Sequence, residues 1–197
     1  MPRPARFDQD AILDAALRVL SGEPGLGGLS TDAIAAEMGG NVGSIYYRFP
    51  SKDHLLAGLW IRCSRRGQAG MITALDTEDL ESATVDAALH YPRWARRDVP
   101  AARVLAGLGR EQLIPHWPDD LAADLATVND DLAQAVRRFA HRRYGQASRA
   151  HLQATTFALL DLPAAAIRRY LLAGRPPPVG LDPVVLAAAR SALHAAA

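Results

Sequence analysis

Residues 39–56 read GGNVGSIYYRFPSKDHLL and place an asparagine, two serines, two adjacent tyrosines, an arginine and a lysine between two apolar runs. Lys52 is the one lysine of the chain, against 21 arginines. Hydroxyls, phenols, a short amide and a cation at helix termini suit phosphate oxygens and base edges. They do not make a bond-breaking set, and no Ser-His-Asp or Cys-His arrangement stands out elsewhere. His90, His116, His141 and His151 lack the HExxH spacing of a zinc site. The glycine-rich GEPGLGG, residues 22–28, lacks the Gly-Lys-Ser/Thr of a phosphate loop and reads as helix-ending punctuation. Cys63, the single cysteine, excludes an internal disulfide and a thiolate cluster and is expected to be a small buried apolar residue. The expectation is therefore a non-enzyme with no metal and no cofactor.

The elements that must position these donors follow from apolar spacing. Residues 8–21 carry Ile12, Leu13, Ala16, Leu17 and Leu20 on one stripe behind Asp8 as N-cap. Ser30 caps a short second helix with Ile34, Ala35 and Met38 inward, ending at Gly39-Gly40. Asn41 caps a very short third helix through Tyr47, with Ile45 inside and Phe49 just beyond. Pro50 ends it, and Ser51 caps a fourth helix running to about residue 70 with Leu55, Leu56, Leu59, Trp60 and Cys63 aligned. Longer helices are expected over 77–97, 100–114, 119–144, 148–173 and 182–196, with Pro163 kinking or interrupting the fourth of these. No strand alternation occurs, so the fold class is all-α, with about nine helices.

Hydrophobic residues at 49% suffice for a substantial core, and no apolar run approaches the ~20 residues that cross a bilayer. MPRPARFDQD has basic residues but no apolar stretch behind them and does not read as a signal peptide, so a cytoplasmic location is expected. Arg3 and Arg6 read as a solvated terminus rather than an arm for the minor groove. The net charge of +1 does not advertise a nucleic-acid binder, and residues 1–70 hold 8 Lys/Arg against 7 Asp/Glu. Contact with DNA therefore has to come from local placement.

Two short helices joined by a glycine-containing turn form a helix-turn-helix pattern. A major groove about 12 Å wide admits one helix, held from behind by its neighbour. The outward face of the third helix then offers Asn41, Val42, Ser44, Tyr46, Tyr47 and Arg48. The run STDAIAAEMGGNVGSIYYRFPSKDHLL, and above all Gly43 through Lys52 followed by Leu55-Leu56, resembles the DNA-binding signature of the TetR family of transcriptional regulators. The resemblance covers roughly residues 8–60. It implies that Ser30 caps the second helix and that Thr31 meets a phosphate. It places Ser44 and Tyr46 near base edges or adjacent phosphates, and Tyr47 and Lys52 on the DNA backbone. Two positions depart from the usual pattern: Gly40 lacks the apolar side chain that anchors the turn, and Val42 replaces a polar reader.

The resemblance further implies a helix-turn-helix domain over 1–50, a connecting helix over 51–70, and a ligand-binding and dimerising bundle over 71–197. Among the aromatic and histidine residues of that region, His90, Trp94, Trp117 and Phe157 are the candidates to line a small-molecule pocket. Leu160, Ile167, Leu171, Val185 and Leu193 are the candidates to face a second copy across a four-helix interface. The implied protein is a homodimeric, effector-responsive regulator, most simply a repressor, reading a palindromic double-stranded DNA operator. The competing reading is an all-α ligand-binding or protein-interaction protein that has lost specific operator binding.

Overall fold

The computed structural model describes residues 7–22, 28–108 and 118–196, among which every regular element is helical. Helix α1 (Gln9–Gly22), α2 (Thr31–Glu37) and α3 (Val42–Tyr46) precede the longest element, α4 (Lys52–Asp76). Then follow α5 (Leu80–Arg97), α6 (Val99–Gly107), α7 (Ala122–Thr127) and α8 (Asp130–Tyr144). The chain closes with α9 (Arg149–Thr156), α10 (Leu162–Leu172) and α11 (Asp182–His194).

Two expectations about these elements change, and a third takes a specific form. The fourth helix runs six residues past 70, to Asp76, because its C-terminal carbonyls find a partner: the Arg142 guanidinium donates to the carbonyls of Leu75, Thr77 and Glu78. The stretch 119–144 is not one helix. It breaks at Val128-Asn129, where Asn129 followed by Asp130 and Asp131 restarts the helix with carboxylates at its electropositive end. The stretch 148–173 is interrupted next to Pro163, as expected, and the interruption takes the form of a widened turn. An i→i+5 turn over Phe157–Asp161, closed by the Leu162 amide on the Phe157 carbonyl, carries α9 into α10, and the proline takes the second position of α10. The part of 100–114 beyond Leu108 lies outside the described residues, as do Arg3 and Arg6.

One core begins with the α1 stripe and runs without interruption through Ile34, Ile45, Leu59 and Cys63 into α5, α6 and α10. A second, around Met71, Phe139, Leu159 and Leu193, joins the far end of α4 to α5, α8, the wide turn and α11. Cys63 sits inside the first, where burial pushes its thiol up to about 12, with the charge of Asp98 adding to the effect. Such a thiol stays protonated and inert.

Helix α4 touches both cores, and its approach to α5 is set by glycines. A Cβ at Gly67 would stand 3.3 Å from the Trp94 ring, and one at Gly70 would stand 2.5 Å from His90 Cε1. The His90 ring is fixed there because its Nε2–H donates to the Gly67 carbonyl at 2.7 Å. Burial also pushes the His90 pKa down, more than the carbonyl bond raises it, so the ring is neutral. The opposite side of α4 is stitched by polar pairs: Arg65 to Asp124, Gln68 to Asn129, and Asp76 to Arg138.

Gly70→Ala gains about 1 kcal/mol of helix propensity, but it drives a methyl into a ring that cannot move without losing its bond. The substitution is expected to lower stability by about 1–2 kcal/mol, the usual cost of overpacking. In a His90→Ala background the same change is expected to stabilise instead. A double-mutant cycle by chemical denaturation reads this reversal of sign.

Candidate nucleic-acid interface

The interface is built on a helix of five residues, too short to hold itself. Three devices fix α3. The first is the turn before it: the Gly40 amide reaches back to the Ala35 carbonyl at 2.9 Å and the Gly39 amide to that of Ala36 at 3.1 Å. That pairing closes α2 only if the residue between them turns left-handed, and Gly39 does so with φ +60°. The second is the cap: the Asn41 side chain accepts the Ser44 amide at 3.0 Å. The third is burial of Ile45 and Phe49 against α1, α2 and α4, with Val42 half-buried beside them.

Gly40 explains its own departure from the family pattern. A Cβ there would lie 2.9 Å from the Phe7 ring. Phe7 packs on the core from the other end of the unit and fills the space that an apolar side chain at position 40 would take. The anchor missing from the turn is supplied from 33 residues earlier in the chain, and nothing local to the turn could have revealed it.

The expected donors are where the sequence places them along the fold. Ser30 caps α2 by accepting the Ala33 amide, and Thr31 opens that helix half-buried. Tyr46 and Tyr47 stand out at 45% and 75% exposure, large for tyrosines on a helix whose opposite face is sealed. The Arg48 guanidinium lies over the Tyr47 ring at 5.3 Å, which braces the phenol outward. Lys52 is exposed in the first turn of α4, two residues beyond Pro50, with no ion pair among the described residues. Ser51 caps that helix by accepting the His54 amide at 3.2 Å. Its hydroxyl also bonds His54 Nδ1 at 2.8 Å, and His54 Nε2 meets Asp120 at 3.1 Å. All three contacts are satisfied when Oγ–H donates to Nδ1 and Nε2–H donates to the carboxylate.

Two roles are narrowed by these bonds. Asn41 spends its side-chain oxygen on the cap and on the Ser44 hydroxyl, so only its amide hydrogens remain to read an acceptor. Val42 turns partly into the core, so it offers only an edge of its side chain to a groove.

The expected pocket and partner residues fare differently. A cleft of about 470 Å³ opens between α5, α6, the wide turn and α10. Trp94 lines it. His90 lies behind it, against α4, and Phe157 points outward at 53% exposure. Phe157 opens the wide turn on its exposed side, whereas Leu160 and Asp161 at the end of the turn line the cleft. Trp117 lies outside the described residues. Of the five residues expected to face a partner, Leu160, Ile167 and Leu171 border the cleft instead. Val185 and Leu193 are buried in the protomer's own core, because α11 packs that stripe against α5. Tyr91, one of the aromatics of that region, and Asp161 also line the cleft, though neither is among the four expected pocket residues.

Residues 12–59 match the family model of bacterial regulatory proteins of the tetR family. Comparison with curated proteins yields no match. Among solved structures, a TetR-like transcriptional regulator from Rhodococcus sp. RHA1 superposes with a TM-score of 0.66 at 20% identity, covering 98% of each chain. The fatty acid degradation regulator FadR from Bacillus halodurans does so with 0.68 at 15% identity, over 98% of this chain and 96% of its own. The TetR family regulator PfmR from Thermus thermophilus gives 0.61 at 17%, over 95% and 96%. At these identities the likeness is one of fold over the whole length. Fold and motif together define a helix-turn-helix DNA-binding transcriptional regulator. The segment 12–59 matches the tetR-family model, and the chain as a whole shares the fold of TetR-family regulators.

Phe7→Ala is expected to cost about 1–2 kcal/mol, less than for a fully buried phenylalanine. Because Gly40 itself has no positive φ, Gly40→Val in that background is expected to recover part of the loss, whereas in the wild type it destabilises. Thermal melts of the four proteins decide between this exchange and an anchor-free turn.

Proposed function

We propose that the protein is an effector-responsive repressor that binds a palindromic operator as a homodimer in the cytoplasm. The observation that carries this reading is the grouping of Ser44, Tyr46 and Tyr47 on and just past α3 with Lys52 at the start of α4, around a helix locked from behind by a cap, a left-handed turn and buried Ile45. Thr31, Tyr47 and Lys52 meet phosphates, with the N-terminal dipole of α4 assisting the lysine. Ser44, Tyr46 and the amide of Asn41 face base edges, and Val42 lies beside them. Two copies place their α3 helices about 34 Å apart, in successive major grooves on one side of the duplex.

The second copy docks on the outer faces of the last helices. Burial of Val185 and Leu193 leaves Val184, 64% exposed, with Ala187 and Ser191 as the outward stripe of α11, and Leu172 on α10 is exposed beside Ala173. The small-molecule effector enters the cleft between α5, α6 and α10. Trp94 connects the two functions, since its ring lines the cleft on one side and bears on Gly67 of α4 on the other. A ligand that shifts Trp94 favours a conformer with α4, and with it α3, set at the wrong spacing. DNA is then released by differential affinity for two states.

In titrations against an operator selected from a random duplex library, Lys52→Ala and Tyr47→Ala are expected to weaken all sequences alike. Each is also expected to reduce the slope of log K against log salt, by about 1 for the lysine. Ser44→Ala is expected to keep the slope and relax preference at particular base pairs. A Lys52→Ala protein equal to wild type at every salt concentration refutes the phosphate role. For the dimer, Val184→Glu with Ala187→Arg is expected to convert the species seen in sedimentation from dimer to monomer without unfolding it. Persistence of the dimer would place the interface elsewhere.

A further inference from the structure

The cleft has a chemical character beyond its shape. One wall is an aromatic corner: the Tyr91 and Trp94 ring centroids lie 6.4 Å apart with their planes at 64°. The wide turn presents Asp161 to the same space. No ion pair holds that carboxylate among the described residues. Its charge reaches the Tyr91 phenol, which burial pushes up to about 12, with Asp161 adding to the effect, so the phenol remains a neutral donor. Behind the corner His90 meets the Tyr91 ring edge-on at 5.4 Å and is itself neutral. Apart from Arg168, the rest of the lining is aliphatic, including Ala102, Leu105, Ile167 and Leu171.

We propose that this cleft binds an amphipathic organic cation, with an alkylammonium group seated between Tyr91, Trp94 and Asp161 and an apolar body along α6 and α10. Electron-rich ring faces attract a positive charge, most strongly where water is excluded. An adjacent carboxylate completes the neutralisation, and the aliphatic remainder covers the tail. Arg168 also borders the cleft. Seven residues of helix separate it from Asp161, about 10 Å along the axis, and its exposed side chain has solvent to extend into. It marks the far end of the cleft, where it repels a second positive charge and so favours monocations. This assignment rests on the reading of the cleft as the effector site.

The test uses the full-length protein and three probes with one tail: decyltrimethylammonium, decanoate and decanol, each below its micelle concentration, followed by calorimetry and tryptophan fluorescence. The cation is expected to bind at least tenfold more tightly than the other two. Asp161→Asn is expected to bring it down to the level of the alcohol, with the alcohol unchanged, and Arg168→Gln to tighten it. Decanoate binding as tightly as the cation, or a cation affinity indifferent to Asp161→Asn, overturns the charge assignment while leaving the cleft as a ligand site. If none of the probes binds, or if Ala165→Trp, which fills the cleft, leaves their binding intact, the effector-site reading itself falls.

Discussion

Everything in this molecule hangs on the distance between α4 and α5. Gly67 and Gly70 let the two helices approach until the Trp94 ring and the His90 ring lie on the α4 backbone, and the His90 bond to the Gly67 carbonyl locks that approach. Helix α4 begins at the proposed phosphate contact, Lys52, and ends in the second core, so its placement fixes both ends at once. A side chain at either glycine would force the helices apart, and the cleft would change shape together with the set of the helix-turn-helix unit. The same contact thus joins packing to the proposed regulation.

The arginines supply the second constraint. The buried Arg103 guanidinium of α6 donates to the Leu20 carbonyl at 2.5 Å, closing the C-terminus of α1, and Arg62 of α4 reaches the Asp10 carbonyl and the Asp14 carboxylate. Arg142 closes α4 in the same way, and Arg96 holds Asp182 at the start of α11 through two bonds. A planar fork with several donors suits exposed helix ends and carboxylates better than an ammonium does. This employment accounts for a regulator whose net charge is only +1. Many of its cations are committed to internal acceptors, and Lys52, with no ion pair among the described residues, stands at the edge where the proposed duplex lies.

The helix-turn-helix unit shows how little a recognition helix needs to contain when its surroundings hold it. α3 has one fully buried residue, Ile45, yet its orientation is set by the left-handed Gly39, the Asn41 cap and the Phe7 ring over Gly40. The two departures from the family pattern therefore have different weights. The one at Gly40 is made good by Phe7. The one at Val42 changes what the groove would meet, since a half-buried aliphatic side chain offers no polar group to a base.

Local pattern settled much of this in advance. Apolar spacing marked the α1 stripe and Ile34, Ile45 and Leu59 as core, the caps at Ser30, Asn41 and Ser51 were written as small polar residues before apolar runs, and the donor cluster from Ser44 to Lys52 was legible in its register. Those features depend on neighbours within one or two turns, which sequence spacing encodes directly. What faced what across the bundle was not encoded that way. Spacing marks Val185 and Leu193 as apolar but does not say whether the protomer or a partner covers them, and packing of α11 on α5 decided for the protomer. A wide turn ahead of Pro163 breaks the regular period, and within it Phe157 is exposed while Leu160 and Asp161 line the cleft, which no single-period reading follows. The fit of Phe7 to Gly40, and of His90 and Trp94 to Gly70 and Gly67, joins residues twenty or more apart through shape, and shape exists only once the helices have met.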